Sequence, residues 1–142
     1  MPLLDSAQRE RIVSAIREAE KDTSGEIRVH VQRHARGDIQ TLARSRFEAL
    51  GLTKTQHRNG VLVFVAVEDR QFCVLGDKGI HVKVGQDFWH ATVEIMTRHF
   101  REGDFTGGVE AGVRHIGKTL REQFPHKRDD VNEVSDDVSM GS

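Results

Sequence analysis

Residues 61–67 read Val61-Leu62-Val63-Phe64-Val65-Ala66-Val67, an unbroken apolar run in which every second residue is a β-branched valine. The run is too short to cross a membrane, which takes about 20 residues as a helix. Bounded by polar residues on both sides, it reads as a central strand covered on both faces. Downstream, the polar break Glu68-Asp69-Arg70-Gln71 is followed by Phe72-Cys73-Val74-Leu75, a hairpin return antiparallel to the central strand. Upstream, residues 26–33 alternate Ile27, Val29 and Val31 inward with Arg28, His30 and Gln32 outward, giving a strand with one polar face. Between these two strands, after Gly37-Asp38, the stripe Leu42, Ala43, Phe47 and Leu50 has helical spacing and stops at Gly51, a C-cap signal. A helix joining the two strands makes them parallel, with a right-handed crossover.

Further out the periodicity is helical. Asp5 and Gln8 are spaced as a capping box ahead of Ile12, Ala15, Ile16 and Ala19, and Thr23-Ser24-Gly25 breaks that first helix. Gly76-Asp77-Lys78-Gly79 turns the chain after the hairpin. From about Asp87, the residues Trp89, Val93, Met96 and Phe100 form a third helical stripe, which Gly103-Asp104 ends. A fourth stripe, Val109, Val113, Ile116, Leu120 and Phe124, stops before Pro125. The order α-β-α-β-β-α-α predicts an α/β fold, a three-layer α/β/α sandwich around a small mixed sheet. Residues 1–125 form the domain. Residues 126–142 carry five acids against Lys127 and Arg128 and read as an acidic, flexible or peripherally docked tail.

The chain has 142 residues, net charge -1, 30% charged and 37% apolar residues. One domain with a core of its own is expected at that length. Near-neutral charge supplies no field for nucleic acid or anionic lipid, so neither partner is expected. The single Cys73 has no intrachain thiol to pair with and fits a reducing cytoplasm, and the stretch MPLLDSAQRERIV lacks the basic and apolar regions of a secretion signal. No membrane anchor is expected.

Residues 112–119, Gly112-Val113-Arg114-His115-Ile116-Gly117-Lys118-Thr119, match the phosphate-loop pattern in form. That loop must link a buried strand to a helix start, whereas these residues lie inside an amphipathic helix whose amides are already bonded. No nucleotide site is assigned here, and the two glycines are read as points of close helix packing. The eight histidines show no zinc-ligand spacing, Cys73 lies in an apolar strand, and no nucleophile elbow or kinase signature occurs. No catalytic residue is assigned.

The carboxylates fall into two groups. Glu26 opens the first strand, Asn59 precedes the central one and Asp77 follows the antiparallel one, so the topology places all three at one end of the sheet, with Asp87 at a helix start facing it. Hard oxygens gathered there suit Ca2+ or Mg2+. Equally, Asp87 reads as an N-cap, Asp77 as a turn residue and Glu26 as a solvated strand start. At the opposite end, Gly37-Asp38 meets Asp69-Arg70, an acid beside an arginine that either holds a metal and orients a phosphate or decorates a hairpin.

Several stretches resemble the TPM domain family: residues 24–31 (SGEIRVHV), 58–66 (RNGVLVFVA), 67–72 (VEDRQF), 76–80 (GDKGI) and 87–89 (DFW). The turn Phe100 to Gly103-Asp104-Phe105 and the tail residues Asn132-Glu133-Val134 extend the resemblance across roughly residues 5–140. The family includes thylakoid lumen proteins described as acid phosphatases, a worm receptor modulator and many small bacterial proteins. The resemblance implies an α/β/α sandwich, calcium binding by acidic loops and a phosphatase activity. Its acidic loops map onto Glu26, Asp69-Arg70, and Asp77 with Asp87. Together these readings predict a soluble, bacterial, cytoplasmic module that binds calcium or magnesium through Glu26, Asp69, Asp77 and Asp87 and engages a protein partner. The alternative is a metal-assisted phosphomonoester hydrolase in which Arg70 binds the phosphate.

Overall fold

The computed structural model describes residues 3–125 and 138–141. Its elements are α1 (Ser6–Glu20), β1 (Glu26–Gln32), α2 (Ile39–Ala49), β2 (Gly60–Ala66), β3 (Gln71–Gly76), α3 (Lys78–His81), α4 (Gln86–Arg101), α5 (Phe105–Gln123) and β4 (Ser139–Met140). A 3-10 turn, Leu52–Lys54, follows α2. The sheet order is β3-β2-β1-β4. β1 and β2 run parallel from Glu26 opposite Gly60 to Gln32 opposite Ala66, β3 returns antiparallel to β2, and β4 pairs parallel with β1 at His30 and Val31.

The alternation inside β2 builds both layers. Val61, Val63 and Val65 join Ile27, Val29 and Val31 of β1 beneath α1, α4 and α5, with Ile12, Ile16, Met96, Val113 and Ile116. Leu62 and Phe64 point the other way, onto Ala43, Phe47 and Leu52. All seven residues of β2 are buried, as a strand covered on both faces requires. The architecture is the expected α/β sandwich.

Local signals act where the chemistry puts them. The capping box of α1 closes, with the Gln8 amide donating to Asp5 Oδ1 at 2.7 Å and the Asp5 amide to Gln8 Oε1 at 3.0 Å. Gly51 follows the end of α2 with φ of 78°, the left-handed conformation of a helix terminus. Gly112 and Gly117 lie within α5, packed on Met96 and Ala19, so the phosphate-loop pattern is a helix-packing feature.

Three features depart from the periodicity. The turn after β3 winds into the single-turn helix α3, capped by Asp77. Helix α4 starts at Gln86 with Gly85 as its N-cap, so Asp87 sits in the first turn instead of capping. The polar face of β1 is not solvated: Glu26 is 2% exposed, Arg28 6% and His30 0%. Residues 126–137, the greater part of the expected acidic tail, lie outside the described residues, while residues 138–141 bring a fourth strand to the sheet with Val138 buried in the core.

Candidate functional site at the ends of the sheet

At one end, Glu26 lies opposite Gly60, the Asp77 amide donates to the Gly60 carbonyl at 2.9 Å, and the Glu26 amide meets the Asn59 carbonyl at 3.4 Å. Glu26, Asn59 and Asp77 therefore share this end, as the topology predicts. All three are buried, at 2%, 1% and 9% exposure. Asp77 is fully engaged. Arg58 forks onto it, Nε to Oδ2 at 2.5 Å and Nη2 to Oδ1 at 2.9 Å, and the Lys78 amide donates to Oδ1 at 2.8 Å. The charge-assisted fork holds the Arg58 guanidinium above its ordinary pKa. Asn59 gives its amide hydrogen to Ser24 Oγ at 3.1 Å, and its Oδ1 is a buried acceptor with no hydrogen-bond partner.

Along a strand successive side chains point to opposite faces, so Gly25 faces Leu120 of α5 while Glu26 faces the other layer. Asp87 is exposed on α4. Among the described residues no three His, Cys, Asp or Glu side chains come together as a metal site. Calcium takes six to eight oxygens, so Glu26, Asn59 and Asp77 would supply only part of its shell and water the remainder. Beside Asp77 a cleft of about 300 Å3 opens between α2 and α3, its wall carrying Arg44, Phe47, Glu48, Leu75 and His81.

The other end lies six strand steps away, about 20 Å along the sheet. Here Asp69 accepts from His34 Nδ1 at 2.8 Å and from the Ala35 amide at 2.7 Å, and Glu68 meets His34 Nε2 at 3.0 Å and Arg33 at 3.3 Å. The His34 hydrogen bond, then that from Ala35, draws the Asp69 carboxyl below the usual range. Arg70 is exposed in the β2–β3 turn with φ of 54°. Asp38 is spent on capping α2, accepting from the Thr41 amide and hydroxyl at 3.0 and 2.9 Å. The four acids singled out by sequence thus divide between two ends, and each carries its own local bonds or exposure.

Two participants were not singled out by sequence. Arg58 reaches Asp77 across 19 positions through a left-handed backbone, φ 50°, that no pattern announces for an arginine. His30 is buried against Phe64 and Ser139, where alternation placed it in solvent.

A mixed open sheet with α1, α4 and α5 on one face and α2 on the other, with acidic loops at both ends, defines a small α/β sandwich. The profile of the TPM domain matches residues 2–119, and the chain belongs to that family. It is similar to the BA42 protein of the psychrophilic bacterium Bizionia argentinensis, with 41% identity over 99% of this chain and 97% of that one and a TM-score of 0.92. The N-terminal domain of cg2496 from Corynebacterium glutamicum shares the fold at 18% identity, covering 83% of this chain and 74% of that one, TM-score 0.67. So does the N-terminal domain of a P. gingivalis protein, at 19% identity over 89% and 83%, TM-score 0.70. No curated protein matches the chain. Among the described residues no helix is long and apolar enough to cross a membrane.

Proposed function

We propose that this TPM domain is a binding module, not a hydrolase: it engages a protein partner, and it takes calcium or magnesium weakly, in competition with Arg58. One observation carries the reading. Two buried carboxylates and the unpartnered Asn59 Oδ1 are set at one end of the sheet, and the cation already engaged there is the chain's own guanidinium. A divalent ion supplies there a denser positive charge than an arginine and more sites for oxygen. Arg58 Nε and Nη2 hold the Asp77 carboxylate in the orientation seen, and Ser24 fixes the Asn59 amide. A cytoplasmic setting suits a chain whose one thiol, Cys73, is buried and pushed above its ordinary pKa by that burial.

The hydrolase alternative gains no support from the geometry. The residue assigned to the phosphate, Arg70, adjoins Asp69 alone of the assigned acids and stands about 20 Å along the sheet from the buried pair Glu26 and Asp77.

The test is a calcium titration of the full chain followed by amide NMR. Shifts at Glu26, Asn59 and Asp77 at millimolar ion are expected, tighter binding in Arg58→Gln, and no shift in Asp77→Asn. No movement at those amides in either the parent chain or Arg58→Gln would refute the cation assignment. Cleavage of p-nitrophenyl phosphate that disappears in Arg70→Ala would refute the non-catalytic reading.

A further inference from the structure

His30 is the most enclosed titratable side chain among the described residues. It has no exposure, lies in the middle of β1, and stands with its ring centroid 5.0 Å from that of Phe64 on β2. Its two nitrogens are each used once: Nδ1 is 2.8 Å from Ser139 Oγ on β4 and Nε2 is 2.8 Å from Gln32 Oε1. Gln32 in turn donates from its Nε2 to the His34 carbonyl at 2.8 Å, which fixes Oε1 as the atom facing the ring. An amide oxygen only accepts, so the ring proton sits on Nε2 and the Nδ1 lone pair takes the Ser139 hydroxyl proton.

The C-terminal strand is shaped to this ring. Its two register pairs are His30 with Ser139 and Val31 with Met140, and the Gly141 amide donates to the Val31 carbonyl at 2.9 Å. Gly141 crosses so close that a Cβ there would lie 3.0 Å from both His30 Nε2 and Gln32 Oε1. Among the described residues the charged groups acting on the ring are Arg28 on its own strand and Arg46 on α2, both cations. Phe64 of β2, Ser139 of β4 and Gly141 just after it bring no charge of their own.

We propose that His30 is a proton-operated latch on the C-terminal strand: the neutral ring holds β4 against β1, and the protonated ring lets β4 go. A proton can add only at Nδ1, the one free lone pair. Ser139 then loses its acceptor, and although its hydroxyl can rotate to accept instead, an imidazolium remains enclosed away from water. Hydrating the ring relieves this, and a two-residue strand is the cheapest cover to lift. Burial, ahead of the two arginines, sets the ring below the ordinary histidine pKa. The latched state therefore binds fewer protons than the released one. The latch is closed above the ordinary value of about 6.5 and weakens as pH falls through the latched-state value. None of this depends on cation binding at the far end of the sheet.

The experiment is native-state hydrogen exchange on the full chain, expressed as protection factors from about pH 8 to about pH 5, alongside the His30 ring titration followed by carbon-13 NMR. Gly141 protection should fall by up to about tenfold per pH unit as the ring titrates, while that of Phe64 holds. His30→Gln, which keeps an amide hydrogen-bonding group and loses the titration, should make Gly141 protection independent of pH. Should that variant not fold, Ser139→Ala serves instead: it should lower Gly141 protection even at high pH and move the ring midpoint up toward its ordinary value. Constant Gly141 protection while the ring titrates overturns the latch, as does simultaneous loss of protection at Gly141 and Phe64.

Discussion

A Cβ added at Gly117 would lie 2.5 Å from the Ala19 Cβ and 2.8 Å from its Cα, where helix α5 crosses α1. Two effects then oppose each other in Gly117→Ala. Replacing a mid-helix glycine gains roughly 0.5–1 kcal/mol of backbone entropy, whereas overpacking against a neighbouring backbone costs about 1–3 kcal/mol. The overlap with backbone atoms decides for the cost, so a net loss of about 1 kcal/mol is expected as a lowered urea midpoint with an unchanged slope. A midpoint at or above that of the parent chain would show that the two helices separate freely. The packing role of Gly112 and Gly117 was legible because both fall in an apolar helical stripe. The Arg58–Asp77 fork was not, since it depends on a left-handed turn at Arg58 that brings a loop back over the sheet end. Asp69 offers a residue-scale test of the opposite end. Its carboxyl is held below the usual range by His34 and Ala35, so the stability it contributes is present above the ordinary carboxylate pKa and lost as pH falls through the lowered one. Asp69→Asn should flatten the pH dependence of the melting temperature between about pH 5 and pH 2. An unchanged slope would mean the His34 contact is made equally in the unfolded chain.

Whether an element can be read ahead depends on whether its own residues or a distant partner make it stable. Helix α1 starts where its capping box starts, and both reciprocal bonds of that box are present. Asp5→Ala removes the acceptor for the Gln8 amide and should cost about 1 kcal/mol, on the order of 3 °C in melting temperature by scanning calorimetry. No change there would mean the first turn is held by tertiary packing instead. The strands β1, β2 and β3 carry period-two or continuous apolar patterns over six or seven residues and are visible for that reason. Strand β4 has two residues, one of them a serine, and exists because Val138, Ser139 and Gly141 find partners more than 100 positions earlier. The same segment encloses His30 in the polar row of β1. Alternation correctly separates the two faces of a strand, yet it cannot say which face a later segment will cover.

At the scale of the molecule, both layers are attached to one strand. Val63 faces α1, α4 and α5 while Phe64 faces α2, and neither residue is more than 1% exposed. Removing either layer would uncover half of β2, so the two should unfold together. The single tryptophan makes this measurable, because Trp89 belongs to the layer opposite Phe64. Phe64→Ala should cost roughly 3–5 kcal/mol through lost burial and the cavity left on the α2 side. If β2 couples the layers, Trp89 fluorescence and far-ultraviolet circular dichroism will report the same midpoint in the parent chain and the same lowered midpoint in the variant. The Trp89 transition would move although its own surroundings are untouched. A Trp89 midpoint that stays in place while the circular dichroism midpoint drops would mean that the α2 layer melts alone. In that case the sheet end carrying Glu26, Asn59 and Asp77 would open before the rest of the domain, and any cation bound there would stabilise only one face of the sandwich.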